Sequence, residues 1–337
     1  MAVCVALATA TLCLAAFVVA SESFVARIPH YLVKNDRDDY GYLTSKVISI
    51  RQAATVQKGF AVLGASCIQS GVTTGAELTR LAQMSDPEVR GFDLGSSDQS
   101  FWESFAVLDH IAPRFSGVAL LGINPWRLRR MGETTKDFVD SPRLGIVSEY
   151  IESRLAKIDA VAPRRTGFYV YDNRKFLLAR LRNVPRNLFW GAIHEIDEVE
   201  PRVLRWDGVI EGTRKQQVNF DEEATAALQQ LDGLITDMRA RGIDFVMVDA
   251  PIAPDFPAAS VGDDFYAAYR ERIRTFAAER NIRFWDANVE ANLVKGDFAD
   301  WCHMSQGPGR QRMTNALVDL ALEELSRGDR VSKKESR

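Results

Sequence analysis

From about residue 59 onward, the chain alternates short apolar runs with amphipathic stretches. The runs read GFAVLG (59 to 64), VRGFDLG (89 to 95), GVALLG (117 to 122), IDFVMVDAP (243 to 251) and IRFWDA (282 to 287). Between them, apolar residues such as Phe101, Phe105 and Leu108 recur at helical spacing, and a last helix is predicted over roughly Gly309 to Ser326. Buried strands that alternate with such helices are typical of a parallel sheet with crossover helices, so we predict an α/β fold.

A long segment interrupts this pattern between the third and fourth predicted strands. One crossover helix needs far fewer residues, so we predict a long, partly helical insertion over about 127 to 222. Because it leaves the carboxyl end of a strand, where open parallel sheets place ligand sites, we expect it to overhang the site as a lid or substrate platform. Trp190 and Trp206 could contact sugar rings, and Arg174 and Arg180 could meet acidic groups. A plain surface insertion is the alternative.

The N-terminus carries one continuous apolar run, residues 2 to 20, which is long enough to cross a bilayer as a helix. We predict that residues 1–21 form a transmembrane anchor or a signal segment. The small residues before Ser21 look like a cleavage site, whereas the length of the run favours a retained anchor. Residues 22–57 mix charges with short apolar stretches and are predicted to be a partly helical juxtamembrane connector.

The charges around the apolar run bear on its orientation. No Lys or Arg precedes it, whereas Arg27, Lys34, Arg37 and Lys46 follow it. The positive-inside rule alone would therefore keep the rest of the chain on the cytoplasmic side.

Composition limits the partners. The chain is 46% hydrophobic and 26% charged, as in ordinary globular proteins, and its net charge is -3. Nucleic acid is not an expected partner, because its phosphates require clustered Lys and Arg. The sequence shows no metal-ligand cluster, phosphate-binding glycine loop or dinucleotide fingerprint, so no metal or cofactor is expected. We predict one domain over 58–330 that contains the insertion, and a disordered tail over 331–337.

Three residue types needed for acyl transfer occur in suggestive places. Ser66 directly follows an apolar strand in AVLGASCIQSG, and Asp300 and His303 stand three residues apart in FADWCHMSQGPGR. Serine is a poor nucleophile until a base removes its proton, and a carboxylate can hold that base in the required tautomer. Taken singly, Ser66 could be a helix N-cap and the DxxH segment an ordinary loop. Their order along the chain favours the catalytic interpretation.

Acyl transfer also needs hydrogen-bond donors where the oxyanion develops. Asn124, in LLGINPW after the third strand, is a candidate, and a turn residue before a proline is the alternative.

Together these segments resemble the SGNH/GDSL hydrolase superfamily. The resemblance rests on GxSxxxxG at 64 to 71, GxN at 122 to 124 and DxxH at 300 to 303, and it covers roughly residues 59 to 325 outside the insertion. It implies a three-layer α/β/α flavodoxin-like fold with a mainly parallel sheet. It also implies that Ser66 is the nucleophile, His303 the base, Asp300 the carboxylate that orients it, and Asn124 an oxyanion donor.

The family places a second oxyanion donor, a backbone N–H, after the second strand, where this chain reads FDLGSSDQS. Aligned on the usual asparagine, the family glycine falls at Asp98, whereas Gly95 is the nearest glycine and is taken as the candidate donor. The family aspartate that precedes the serine is replaced here by Ala65.

Within the superfamily, the N-terminal apolar run, the insertion, and the GASCIQSG and VDAPIAP segments are similar to a membrane-anchored branch. That branch includes proteins for O-acetylation of alginate and other exopolysaccharides or for D-alanylation of teichoic acids, which work beside membrane-bound O-acyltransferases. The resemblance implies a membrane-tethered, extracytoplasmic serine esterase or O-acyltransferase, with O-acetyl as the acyl group, acting on a glycan or cell-envelope polymer. The alternative is a noncatalytic scaffold or glycan-binding subunit with the same fold.

Cys67 and Cys302 adjoin Ser66 and His303. If the serine and the imidazole meet, their neighbours are brought close, and a disulfide needs Cα atoms about 4.4 to 6.8 Å apart. Such a bridge would fit an oxidising compartment. Two separately buried thiols are the alternative.

Overall fold

The computed structural model describes residues 2–28, 39–129, 131, 148–158, 169–172, 174–181, 206–215 and 220–335. Its centre is a five-stranded sheet in the order β2-β1-β3-β4-β5, in which every neighbouring pair is parallel. The strands are β1 Val56–Leu63, β2 Arg90–Asp93, β3 Phe115–Ile123, β4 Ile243–Asp249 and β5 Arg283–Asp286. The predicted α/β fold with a parallel sheet is confirmed, and the strand order is that of flavodoxin-like folds.

Helices cover both faces of the sheet. In chain order they are α1 Ala2–Val19, α2 Glu22–Arg27, α3 Asp39–Gln52, α4 Ser66–Gln69, α5 Gly75–Gln83, α6 Phe101–Ile111, α7 Glu149–Lys157, α8 Tyr169–Asp172, α9 Arg174–Leu181, α10 Trp206–Lys215, α11 Phe220–Arg239, α12 Phe256–Ser260, α13 Asp263–Glu279, α14 Ala287–Glu290 and α15 Pro308–Glu335. Helices α5 and α15 pack together on one face, while α3, α6 and α11 form a layer on the other. The arrangement has three layers, as expected.

The sequence pattern placed all five strands but not every boundary. Strand β1 begins at Val56, inside the segment predicted to be a connector. Helix α3 also belongs to the domain, because Leu43 and Val47 are buried in the main core and the helix packs on α6. Helix α15 continues to Glu335, into the tail predicted to be disordered. No proline interrupts this segment, so the helix that is packed on the core through Leu325 can continue into it.

One helix in the described part of the chain, α1, is long and apolar enough to cross a membrane. It passes into α2 without a flexible linker: the Ser21 N–H donates to the Val18 carbonyl, and the Ser21 hydroxyl caps α2 by accepting from the Phe24 N–H. Val25 of α2 packs against Ile48 of α3. The end of the apolar helix is therefore packed against the domain.

The described parts of the insertion are helical and lie in different places. Helix α7 packs on α6, and its Tyr150 hydroxyl donates to Asp237 of α11 at 2.7 Å. It therefore lies on the outer helix layer and does not overhang the carboxyl edge of the sheet. Helix α10 contacts α12, which follows the loop after β4, through Arg214 Nε donating to the Ser260 carbonyl at 3.1 Å. Helix α8 contacts α1. The prediction that the whole insertion forms one lid over the carboxyl edge is therefore wrong for α7. Of these helices, α10 is the one that contacts the loop region after β4.

Candidate active site

Ser66 is the first residue of α4 and follows β1 after a two-residue turn at Gly64 and Ala65. A Cβ atom at Gly64 would lie 2.9 Å from Ile68 of the same short helix, which is too close for any side chain. Glycine therefore lets α4 begin directly at the strand end. This turn places Ser66 at the carboxyl edge of the sheet.

Asp300 and His303 lie on a closed loop before α15. The Ala299 N–H donates to the His303 carbonyl at 2.8 Å, and the Ser305 N–H donates to the Asp297 carbonyl at 2.8 Å. These two bonds hold the ends of the loop together. The loop is also anchored through the Trp301 carbonyl, described below, so the carboxylate and the ring have a fixed mutual position.

The structure brings Ser66, His303 and Asp300 into one hydrogen-bonded chain. His303 Nε2 lies 2.8 Å from Ser66 Oγ, and His303 Nδ1 lies 2.6 Å from Asp300 Oδ2. Asp300 Oδ1 accepts the N–H groups of Cys302 at 2.9 Å and His303 at 2.8 Å. Because an ionised carboxylate only accepts, the tautomer that fits this geometry has the ring proton on Nδ1 and the Nε2 lone pair towards the serine hydroxyl. Asp300 and His303 are buried, while Ser66 is partly exposed.

The two cysteines beside this chain are bonded to each other. Cys67 and Cys302 form a disulfide with a Cα–Cα distance of 5.1 Å, so the interpretation as separate thiols is wrong and the bridge is confirmed. The bond joins the residue after Ser66 to the residue before His303. It links the two segments of the chain covalently at the point where they meet.

Hydrogen bonds also connect the turn after α4 to the segment that leads into α15. The Met304 N–H donates to Ser70 Oγ at 3.1 Å. Arg310 Nε donates to the Val72 carbonyl at 2.8 Å, and the Thr73 N–H donates to Thr314 Oγ1 at 3.0 Å. The turn after α4 is therefore held against the start of α15, which stabilises the approach of the His303 loop to Ser66.

Asn124 lies at the same edge of the sheet, immediately after β3, and β3 is paired with β1. Its Oδ1 accepts the Arg127 N–H at 2.7 Å, as in a helix N-cap, and residues 125 to 129 are helical. This bond fixes which way the amide points. Among the described residues, nothing accepts a hydrogen bond from Asn124 Nδ2. The amide N–H₂ group remains available as a donor.

Gly95 adjoins the serine turn, but its own donor is engaged. The Gly95 N–H donates to Asp93 Oδ1 at 3.2 Å, and the following N–H, of Ser96, donates to the Gly64 carbonyl at 3.1 Å. The Gly95 N–H is thus turned away from a role as oxyanion donor in this conformation. The Ser66 N–H, at the first position of α4, has no acceptor within the described ranges.

The buried guanidinium of Arg127 holds the loops behind Asn124. It donates from Nε to the Gln99 carbonyl at 2.9 Å and from Nη2 to the Ser100 carbonyl at 3.1 Å, and Nη1 donates to the Gly122 carbonyl. Its Cζ atom lies 4.2 Å from the centre of the Phe101 ring. Burial lowers the pKa of Arg127 to about 9, and the nearby Glu103 charge opposes this shift, so the group is a cation at neutral pH.

Gln99 connects the strand ends on the other side of Ser66. Its Oε1 accepts the Gly64 N–H at 3.0 Å and the Ser104 hydroxyl at 2.6 Å, and its Nε2 donates to the Leu94 carbonyl at 2.8 Å. The sequence pattern alone does not single out Gln99 or Arg127. Gln99 lies in a polar loop after β2 and Arg127 lies just after Asn124, and polar residues at such positions are mostly exposed.

The ends of β4 and β5 carry a second buried polar cluster. Asp249 Oδ2 accepts from Arg270 Nε at 2.8 Å, Arg270 also pairs with Asp286 at 3.1 Å, and Tyr269 donates to Asp249 Oδ1 at 3.2 Å. Burial raises the pKa of the Asp249 carboxyl to about 7, against the opposing effect of the Arg270 charge.

An aromatic cluster lies between this part of the sheet edge and the His303 loop. Trp126, Trp301 and Phe256 pack on one another, with ring centres 4.7 Å apart for the two tryptophans and 4.9 Å apart for Trp301 and Phe256. The Ala253 N–H, from the loop after β4, donates to the Trp301 carbonyl at 2.8 Å. The cluster therefore joins the loops after β3 and β4 to the Asp300 loop.

Asp300, Cys302 and His303 also form the one group of neighbouring metal-ligand types in the described part of the chain. The Cys302 sulfur is bonded to Cys67, and His303 Nδ1 is bonded to Asp300. Neither a thiolate nor a free imidazole nitrogen on that side is available, so these residues do not fit a metal ion.

Of the insertion residues that were predicted to contact a polymer, the structure describes the side chains of only some. Trp190 and the side chain of Trp206 lie outside the described residues. Arg174 is exposed and stacks over Tyr171 at 4.0 Å, whereas Arg180 is buried and therefore does not face a polymer in solution.

Comparison of the sequence with protein-family models and with curated proteins gave no match. The geometry of Ser66, His303 and Asp300 and the motifs in which they lie are the evidence for function in this chain.

Proposed function

We propose that the protein is a membrane-tethered, extracytoplasmic serine esterase or O-acyltransferase that acts on a glycan or cell-envelope polymer. The observation that carries this proposal is the hydrogen-bonded chain from Ser66 through His303 to Asp300. A hydroxyl within 2.8 Å of an imidazole whose other nitrogen is held by a buried carboxylate is the arrangement that activates serine as a nucleophile.

In the proposed reaction, His303 Nε2 takes the proton from Ser66 as Oγ attacks the carbonyl carbon of an ester or thioester. The carbonyl π electrons move to oxygen and give a tetrahedral oxyanion. When this collapses, the bond to the leaving group breaks and His303 returns the proton to that group. Asp300 keeps the proton of the ring on Nδ1 and stabilises the imidazolium while it exists. The product is an acyl ester on Ser66.

The oxyanion needs donors that are already in place. Asn124 Nδ2 is suited to this role, because the Arg127 N–H fixes the amide oxygen and leaves the nitrogen without a partner among the described residues. The Ser66 backbone N–H, at the start of α4, is the second donor in this proposal. Gly95 is less suited than the sequence suggested, since its N–H is bound to Asp93.

The acyl-enzyme is resolved when water or a sugar hydroxyl attacks it, with His303 again acting as base. The side chains of Ser66, His303, Asp300 and Asn124 have the same roles in hydrolysis and in transfer. The sequence resemblance favours O-acetyl transfer to a glycan. It also favours a membrane-bound O-acyltransferase as the partner that supplies the acyl donor.

We assign the chain to the SGNH/GDSL superfamily as part of this proposal. The strand order supports it, as do the positions of Ser66 after β1, Asn124 after β3 and the DxxH loop before the last helix. Asp98, at the position of the family glycine, has a φ of 50°, in the left-handed region that glycine favours. That backbone conformation favours aligning Asp98 with the family glycine.

The extracytoplasmic location is supported by the disulfide beside the site, because cytosolic proteins rarely keep structural disulfides. Against it stand the positive charges that follow α1. We give the disulfide more weight, because charge counts on one span determine orientation only on average.

The proposal is tested by hydrolysis of a small acetyl ester by the full-length protein in detergent. The Ser66→Ala variant should lose at least about 1,000-fold in kcat/KM. The matched control is Ser85→Ala, which changes an exposed serine at the end of α5 and should keep the original rate. A Ser66→Ala protein with an unchanged rate would reject the serine mechanism, and a wild-type protein that hydrolyses no ester would favour a noncatalytic scaffold or glycan-binding subunit.

A further inference from the structure

Helix α1 is apolar on every side, and among the described residues protein covers it only near its C-terminal end. Ala16 is its only buried residue, 9% exposed, and it forms a small apolar cluster with Ala20 and with Leu177 of α9, which is 3% exposed. Val170 of α8 packs on the same cluster. Part of the insertion is thus attached to the candidate membrane helix.

The depth of this contact follows from helix geometry. The 18 residues of α1 rise about 27 Å at 1.5 Å per residue, and a bilayer hydrocarbon core is about 30 Å thick. If α1 spans the membrane, its whole length lies in the core. Ala16 lies about 4.5 Å along the axis from the end at Val19. A side chain that covers Ala16 therefore lies in the outermost few Å of the hydrocarbon core, close to the headgroups.

The neighbours of Leu177 suit that depth. Leu178 is 61% exposed and Tyr171 is 50% exposed, although both lie in short helices attached to α1. Arg174 stacks on the Tyr171 ring at 4.0 Å and donates from Nη1 to the Tyr171 carbonyl at 2.7 Å. Tyrosine is enriched at membrane interfaces, and arginine there can keep its charge among the headgroups while its stem covers apolar surface.

The end of α1 is also held at a fixed position relative to the domain. Ser21 caps α2 directly after α1, Val25 packs on Ile48, and Glu22 pairs with Arg51 at 2.6 Å. The domain cannot move away from the bilayer on a flexible linker unless these contacts break.

From these contacts we propose that α8 and α9 form a lipid-facing surface that lies in the bilayer interface beside α1. Leu178 and Tyr171 contact lipid, and Arg174 meets lipid phosphates. The protein then touches the membrane at two adjoining places, and the insertion that connects the end of β3 to α11 is held at the membrane surface. This inference rests on the membrane anchoring in the proposed function and not on its chemistry.

Site-specific fluorescence on the full-length chain in nanodiscs of phosphatidylcholine and phosphatidylglycerol tests this. The background carries Cys4→Ala and Cys13→Ala, which removes the two free cysteines and leaves the disulfide. Leu178→Cys is labelled with an environment-sensitive dye, and some lipids carry a quencher near the headgroup. Met84→Cys, at an exposed site after α5, is the control for water exposure, and Leu12→Cys reports whether α1 is in the bilayer.

We expect the dye at position 178 to show blue-shifted emission and quenching several-fold stronger than the dye at position 84. Equal quenching at 178 and 84, with position 12 in the bilayer, would overturn the proposal while leaving the anchor intact. A dye at position 12 that is exposed to water would overturn it as well, because the depth argument needs α1 in the membrane. If the dye at position 178 shows blue-shifted emission only after a second membrane protein is added to the nanodiscs, the surface binds protein and not lipid. Reactivity of Ser66 is read in a separate assay, so failure of the enzymatic proposal is distinguishable.

Discussion

His303 Nε2 lies 2.8 Å from Ser66 Oγ although 237 positions separate the two residues. The contact is enforced on both sides. The disulfide joins the immediate neighbours of the two residues, and the Met304 N–H is bound by the Ser70 hydroxyl. A surface hydrogen bond would not require such support, so the arrangement is built for a defined geometry.

Replacing Asn124 with alanine should slow the chemical step. Loss of one oxyanion donor typically costs 100- to 1,000-fold in kcat, or about 3 to 4 kcal/mol. Steady-state kinetics on a small ester should therefore show a large fall in kcat with little change in KM. Asn315→Ala, at an exposed position on α15, is the matched control. If kcat for Asn124→Ala equals that of the control, Asn124 is only a helix cap.

Arg127→Lys should separate the charge of this residue from its hydrogen-bonding geometry. Lysine keeps the cation but cannot reach the carbonyl groups of Gln99, Ser100 and Gly122 together, which leaves buried acceptors unpaired. We expect a loss of about 2 to 3 kcal/mol in the free energy of unfolding and a kcat at least about 10-fold lower. The measurements are urea unfolding and ester kinetics, with the exposed Arg90→Lys as control. Unchanged kcat in a destabilised protein would limit Arg127 to a structural role.

Removal of the disulfide should destabilise the domain strongly. The bond joins residues separated by 235 positions, for which the loop-entropy relation gives about 5.5 kcal/mol, while measured losses are more often about 2 to 4 kcal/mol. Reducing agent should lower the melting temperature of the wild-type protein but not that of a Cys67→Ser/Cys302→Ser variant. Equal sensitivity of both proteins to the reductant would mean that the bridge does not form in solution.

Asp249 should give the stability a specific pH dependence. Burial raises the pKa of its carboxyl to about 7 in the folded protein, whereas an unfolded Asp has a pKa of about 3.9. Between these values the folded state binds more protons than the unfolded state, so this carboxyl lowers the free energy of unfolding as pH rises from about 4 to about 7.

We therefore expect the wild-type protein to lose stability relative to Asp249→Asn, by on the order of 2 kcal/mol, between about pH 4.5 and about pH 7.5. Urea unfolding at both pH values measures this difference. The exposed Asp319→Asn is the control and should follow the wild-type protein. A difference between wild type and Asp249→Asn that does not change with pH would contradict the assignment.

The apolar periodicity was sufficient to predict the sheet and the position of Ser66 on a strand-to-helix turn, because buried strands and their glycine-flanked ends have local signatures. The role of Arg127 could not be predicted, since its burial depends on the loop before α6 and the end of β3, which meet only in the folded chain. Gly95 illustrates the same limit. The sequence places a glycine near the serine turn, but whether its N–H faces a substrate or Asp93 is decided by loop geometry. Helix α3 looked like a connector because its apolar residues alternate with polar ones such as Thr44 and Ser45, which are nevertheless buried in the fold.

The most direct test of the central claim is covalent labelling with a serine-directed fluorophosphonate, followed by mass spectrometry of the digested full-length protein. The proposed mechanism predicts a single adduct on Ser66, lost in Ser66→Ala and strongly reduced in His303→Ala, because only a serine whose proton is accepted by the imidazole reacts at a useful rate. An unlabelled wild-type protein, under conditions in which a known serine hydrolase reacts fully, would contradict the account. Labelling of Ser66 that does not depend on His303 would contradict it as well.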